Sequence, residues 1–256
     1  MAHKLTVIGV IPSRYASTRL PAKPLVDLLG KPMVQRVYER AQSAKSLSRV
    51  IVATDDQRIE TAVKHFGGEV VLTSPDIKSG SDRVAAVAAQ VDGDIFVNVQ
   101  GDEPLLAPEM IDQAVQLLID DPAVPVGTLA KKIETTDDLL NPSVVKVICA
   151  NNGEALYFSR AAIPFVRDEA DAANWLARHT FYKHIGLYVF RKDFLMQYAQ
   201  LPYSKLEQAE RLEQLRILEA GYKIKVGITS FDSISVDTPE DAERVVQILR
   251  AASSHS

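Results

Sequence analysis

Short apolar runs alternate with amphipathic stretches through the first half of the chain. Leu5 to Ile11 is a β-rich run that stops at Pro12. Pro32 opens a helical pattern reaching about Ala44, with proline at a first-turn position. Val50 to Ala53 reads as a second buried strand, and Asp56 to Phe66 as a helix closed by Gly67 and Gly68. Val70 to Leu72, then Ile95 to Val99, supply a third and fourth strand. Asp82 to Val91 and Pro108 to Ile119 supply the helices that follow them. Strands with no polar alternation must be covered on both faces, so the pattern predicts a three-layer α/β/α fold around a mostly parallel central sheet.

The rhythm changes after Ala123. Short runs at Val126 to Ala130, Val144 to Ala150, Ala155 to Ser159 and His184 to Phe190 predict a smaller region of mixed strands. One long helix is predicted over Lys205 to Ala220, stopped by Gly221. A strand follows at Lys223 to Ile228, then a last helix opened by Asp237-Thr238-Pro239-Glu240. The polar, alanine-rich segment Arg167 to Arg178 reads as a mobile excursion. The whole is read as a single domain, 1–256. Residues 1–125 are its first half, 126–222 the mixed part, and 223–256 the return to the main sheet.

Composition narrows the class. A hydrophobic content of 46% over 256 residues is enough for a real core, and a net charge of −4 with no basic run argues against a nucleic-acid partner. A single cysteine, Cys149, excludes an internal disulfide framework and fits a reducing compartment. It reads as a small strand residue. No run has the length of a membrane span, and the N-terminal apolar run is short for a signal peptide. The expectation is a soluble, cytoplasmic protein with no membrane partner.

In parallel sheets ligands gather beyond the carboxyl ends of the strands. After the first strand, residues 11–25 (IPSRYASTRLPAKPL) carry Arg14, Arg19 and Lys23 among small residues. Several cations and close backbone suit a triphosphate, although a solvated basic loop would look similar. The glycine pattern of a dinucleotide-binding turn is absent, as is a P-loop. After the fourth strand comes NVQGDEP (98–104), with Asp102 directly behind Gly101. Near the end, SVDTPED (235–241) sets Asp237 before a helix. Two such acids could hold Mg²⁺; equally, Asp237 could be a helix cap and Asp102 a turn acid. Farther along, strand alternation puts His184, Gly186 and Tyr188 on one face, and helical spacing puts Glu210, Glu213, Gln214 and Ile217 on one stripe.

With SGSDR (79–83), VKV (145–147), YFSRAAIPF (157–165), KHIGLYVF (183–190) and LEQLR (212–216), these blocks follow one another in an order that resembles the Kdo (3-deoxy-manno-octulosonate) cytidylyltransferases, or CMP-Kdo synthetases. The resemblance spans nearly the whole chain. It implies a GT-A-like nucleotidyltransferase fold, a homodimer formed through the mixed-strand region, and Mg²⁺-dependent transfer of CMP from CTP to Kdo, which activates that sugar for lipopolysaccharide assembly. Another acidic sugar, 8-amino-Kdo or a sialic acid, would suit the same pattern. A non-catalytic nucleotide sensor is the reading from a different class, and the intact Asp102 and Asp237 speak against it. By resemblance, Arg14, Arg19 and Lys23 meet the triphosphate. Ser81, Arg83 and Gln100 lie toward nucleoside and sugar, and Asp102 and Asp237 ligate the metal. Gln100, Arg160, His184, Tyr188 and Glu213 meet the sugar. Lys23, Asp102 and Asp237 form the catalytic set.

Overall fold

In the computed structural model, which describes residues 5–16, 20–77, 79–232 and 234–253, the chain divides into two compact units. One contains the residues up to Asp112 and those from 233 on; the other is Gln113–Asp232.

The first unit is built on a four-stranded parallel sheet in the order β3-β2-β1-β4. Its strands are β1 (Val7–Ser13), β2 (Arg49–Thr54), β3 (Glu69–Leu72) and β4 (Ile95–Asn98). Every β4 residue is buried, as are six of the seven in β1, so both faces of these strands are covered, as their unbroken apolar runs require. The covering helices are α1 (Met33–Gln42), α2 (Gln57–His65) and α3 (Gly80–Ala88), joined by the start of α4 (Pro108–Asp120). Asp56 caps α2 and Ser79 caps α3, each side chain accepting a backbone N–H of the first turn. The C-terminal helix, named below, belongs to this unit as well.

The second unit is mixed, as predicted. Its strands are β5 (Val126–Lys132), β6 (Lys146–Cys149), β7 (Ala155–Ser159), β8 (Tyr182–Arg191) and β9 (Ile224–Thr229). β5 runs parallel to β9 and antiparallel to β8, while β6 runs antiparallel to β7 and β8. The short helices are α5 (Thr136–Leu140), α6 (Trp175–Arg178), α7 (Lys192–Tyr198), α8 (Lys205–Glu210) and α9 (Gln214–Glu219). The last helix, α10 (Pro239–Ser253), returns the chain to the first unit.

Two expectations need correction. The long helix over 205–220 is two helices, because Arg211 takes the left-handed conformation (φ 53°) between α8 and α9. Glu207 and Arg216 then form a buried two-pronged ion pair at 2.6 and 2.8 Å, with the guanidinium between the rings of Tyr198 and Tyr203. A fully desolvated charge needs such a partner, and the turn at Arg211 supplies it. The break also removes the single stripe expected of Glu210, Glu213, Gln214 and Ile217. The segment 167–178, read as a mobile excursion, is anchored instead. Trp175 is buried in a small core with Ile133, Leu139 and Phe181, and its indole N–H donates to the Glu169 carbonyl at 2.9 Å.

Candidate active site

Each group at the head of the first unit's sheet is placed by a local feature of the chain. Ala22 adopts a left-handed conformation (φ 55°, ψ 29°), and Lys23 begins a short 3₁₀ turn closed by the Leu25 N–H on the Ala22 carbonyl at 2.7 Å. The turn directs the Lys23 ammonium to two carboxylates, Asp102 at 2.6 Å and Asp237 at 2.9 Å. Asp102 follows Gly101, where an added Cβ would lie 2.6 Å from the Pro12 carbonyl oxygen, so only glycine lets the chain after β4 pass so close to β1. Asp237 is brought in by a backbone bond from the Val236 N–H to the Asp102 carbonyl at 2.9 Å.

The alternative role for Asp237 as a helix cap is filled by other groups. The Thr238 hydroxyl accepts the Asp241 N–H at 3.2 Å, and the Asp241 carboxylate accepts the Thr238 N–H at 2.9 Å. This reciprocal box caps α10, and the Asp237 carboxylate turns to Lys23. Lys23 is 15% exposed and its two partners about a third, at 31% and 32%. Partial burial works against the lysine's charge, but the Asp102 and Asp237 carboxylates outweigh it and raise the pKa above 10.5.

Beside this cluster two guanidinium groups converge on one carbonyl, that of Ile77, which accepts from both Arg14 and Arg83. Arg83 is wholly buried. It reaches the Thr73 hydroxyl and, at 3.1 Å, the carboxylate of Asp55 at the end of β2, while its Nε–H has no partner. Burial, together with the charge of Arg14, lowers the Arg83 pKa against the pull of Asp55. Arg14 and Arg83 thus bring two positive charges together at the Ile77 carbonyl, a feature that favours an anion. Ser81, buried in the first turn of α3, bonds to the Asn98 amide at 3.3 Å. Gln100 stands half-buried between Asn98 and Asp102. Arg19 lies outside the described residues.

In the second unit β8 carries a bulge. Thr128 of β5 pairs with Tyr188, yet the next residue, Leu129, pairs with Ile185. The two extra residues contract the strand, and the His184 and Tyr188 rings meet at 5.3 Å. In a regular strand, positions four apart lie about 13 Å from each other. The Thr128 hydroxyl lies 2.9 Å from His184 Nε2 and within hydrogen-bond distance of the carbonyls of Ile185 (3.0 Å) and Leu187 (2.8 Å). Burial drives the His184 pKa down to about 3. The Tyr188 phenol is pushed well above 10, first by burial and then by the nearby charge of Glu213. Arg160 is held differently from the others: its Nε donates to the Glu210 carbonyl at 2.7 Å and its Nη1 to the Pro142 carbonyl at 2.9 Å.

The structure adds contacts for three residues that had no assigned role: Asn98, Asp55 and Glu210. Each lay in a stretch the sequence marks, Asn98 in NVQGDEP, Asp55 directly after the second strand and Glu210 on the stripe with Glu213.

Cations and acids collected past the carboxyl ends of parallel strands define an α/β protein that receives an anionic ligand there. The profile of the cytidylyltransferase family matches residues 8–224. A 3-deoxy-manno-octulosonate cytidylyltransferase of Geobacter metallireducens is 51% identical over 96% of this chain and 98% of its own length. Its counterpart from Geobacter sulfurreducens is 52% identical over 96% and 100%. The solved structure of a CMP:2-keto-3-deoxy-manno-octonic acid synthetase complexed with CTP superposes with a TM-score of 0.90 at 43% identity, covering 96% of this chain and 99% of the other. A 4-diphosphocytidyl-2C-methyl-D-erythritol synthase from Anaerococcus prevotii, 12% identical with a TM-score of 0.62, shares the fold. The chain belongs to the cytidylyltransferase family, among its 3-deoxy-manno-octulosonate members.

Proposed function

We propose that the protein transfers CMP from CTP to 3-deoxy-manno-octulosonate and releases pyrophosphate. The observation that carries this is the meeting of Lys23, Asp102 and Asp237 at the head of the sheet, in a chain about half identical to enzymes of that name. Arg14, Arg19 and Lys23 are assigned to the triphosphate, and Ser81, Arg83 and Gln100 to the nucleoside side. The two positive charges brought together at Arg14 and Arg83 support the anionic part of that assignment.

Mg²⁺ fits the two acids. Two hard carboxylates that already share one ammonium are close enough to share one small cation. Among the described residues no cluster of three or more metal-binding side chains occurs, so the remaining ligands would come from phosphate and water. Bound there, Mg²⁺ would draw negative charge from the α-phosphate and the departing pyrophosphate and lower the pKa of the attacking hydroxyl. The chain's own part is to hold Asp102 and Asp237 side by side through the Val236 N–H on the Asp102 carbonyl, and to present Lys23 and the arginines to the phosphates. On the sugar side, neutral His184 and the un-ionised Tyr188 phenol offer hydrogen bonds, Glu213 is assigned to hydroxyls and Arg160 to the sugar's carboxylate; Gln100 is assigned to the sugar as well as to the nucleoside. A homodimer and a cytoplasmic location complete the reading.

The test is pyrophosphate release from CTP with Kdo, 8-amino-Kdo and a sialic acid, with and without EDTA. Turnover with Kdo that EDTA abolishes is expected. Release only with a different sugar would overturn the substrate, and full activity in EDTA would overturn the metal.

A further inference from the structure

Glu210 has no part in the reaction as proposed, yet both of its carboxylate oxygens are engaged. One carboxylate oxygen accepts the Ser159 hydroxyl at 2.7 Å and the other the Arg160 backbone N–H at 2.9 Å. Ser159 passes the link on, since its oxygen accepts the Ala161 N–H at 3.0 Å. The end of β7 is thereby fastened to the end of α8 by a single side chain.

The same junction is fastened a second time from the opposite direction. Because Arg211 turns left-handed, the last carbonyls of α8 have no helical partner. Arg160 supplies donors: Nε to the Glu210 carbonyl at 2.7 Å, and Nη2 toward the Arg211 carbonyl at 3.5 Å. Its Nη1 takes the Pro142 carbonyl at 2.9 Å. Lys146, fully buried, closes the adjoining turn by donating to the carbonyls of Asn141 (3.0 Å) and Val144 (2.6 Å). From that turn the Val145 carbonyl accepts the His184 N–H at 2.8 Å. Burial and the charge of Arg160 both lower the Lys146 pKa, and Glu210 is the acid that opposes them.

A guanidinium has five N–H donors, and three carbonyls occupy three of these, one on each nitrogen. That leaves one donor on each terminal nitrogen. We propose that Glu210 is a positioning residue for the sugar side: it fixes the Arg160 backbone and the α8–α9 turn, and so sets Arg160 and, two residues beyond Arg211, Glu213. This rests on the sugar-side assignment above.

The experiment compares Glu210→Ala, Glu210→Gln, Arg160→Ala and the double variant Glu210→Ala/Arg160→Ala, each with a thermal melt. Steady-state kinetics are measured with CTP and Kdo, or with whichever acidic sugar the wild type turns over. Loss of hydrogen bonds to a charged group costs roughly ten- to a hundred-fold in affinity, so Glu210→Ala should raise the sugar KM by about that factor and leave the CTP KM within about two-fold. Glu210→Gln keeps an acceptor for Ser159 but sets an N–H against the Arg160 N–H, and should recover part of the loss. The double variant should be no worse than Arg160→Ala. Equal rises in both KM values, or a double variant whose loss is the product of the single ones, overturns the proposal. Should Glu210→Ala not fold, Glu210→Gln and Ser159→Ala carry the same comparison. A wild type inactive with every acidic sugar overturns the substrate reading alone. Exchange of the Arg160 amide, slow in the wild type and fast in Glu210→Gln, still reads the lock, and equal exchange in the two overturns it.

Discussion

Replacing Lys23 by Met removes an ammonium and keeps most of the side chain's stem. Asp102 and Asp237 then face each other without it. Oxygens that share one ammonium lie about 4–5 Å apart by ordinary hydrogen-bond geometry. At that separation two negative charges repel by about 3–4 kcal/mol at an effective dielectric constant of 20, and by about 1 kcal/mol in water. Both carboxylates are about a third exposed, so an intermediate cost of about 1–3 kcal/mol is expected. For a chain of this size that is a fall of about 2–10 °C in Tm, larger at low salt. A divalent cation should reverse the sign of the comparison. In the wild type it must compete with the ammonium; in Lys23→Met it meets two unneutralised acids. Mg²⁺ titrated against a thermal melt without nucleotide should stabilise the variant more than the wild type, while kcat with CTP and Kdo falls by at least ~10²-fold. The alkaline limb offers a second reading. The raised Lys23 pKa means its contribution is fully present below 10.5 and lost as pH climbs through the higher folded value, and Lys23→Met has no such loss. A variant with unchanged Tm and no extra response to Mg²⁺ would refute the claim that these two acids act on each other.

Asp237→Asn should lower kcat by at least ~10²-fold with little change in Tm, whereas Thr238→Ala should lose about 1 kcal/mol of stability and keep its turnover; the reverse pattern would make Asp237 the cap. His184, at 6.5 unfolded and about 3 folded, binds its proton only in the unfolded chain between those values, so stability should fall by about 1.4 kcal/mol per pH unit as pH drops below 6.5. Denaturant melts of the wild type and His184→Gln between pH 4 and 7 check this, and identical slopes would contradict it. CTP should be turned over in preference to ATP and GTP, because a site shaped for a pyrimidine excludes the larger base; equal rates with ATP would remove the base-selecting role from the Ser81 region.

The parallel half of the fold was legible because its strands are short, apolar and bounded by helix signals. Each of the four fell within a few residues of its observed span. The candidate acids were legible too, and the resemblance grouped them with Lys23, although the local means of their meeting was not legible, since it depends on a left-handed alanine and on a box made by Thr238 and Asp241 that periodicity does not register. The break at Arg211 escaped detection for a related reason. Residues 205–220 contain neither proline nor an internal glycine, and the turn is imposed by tertiary contacts: the Glu207–Arg216 pair and the Arg160 donors that take the released carbonyls. Strand alternation placed His184 and Tyr188 on one face, but the bulge that draws their rings together adds two residues no pattern of side chains announces.

The alanine that aims Lys23 has a use outside the chemistry. An L-residue held at φ 55° costs roughly 1–2 kcal/mol relative to a right-handed conformation, a cost glycine escapes. Glycine gives back about 0.5–1 kcal/mol through the greater freedom of the unfolded chain. The relief is the larger effect, so glycine at position 22 is expected to be neutral to mildly stabilising, by up to about 1.5 kcal/mol. That makes it a permissive position in directed evolution. A library can vary the stiffness of the turn beside the key ammonium there and leave every charged group of the site in place.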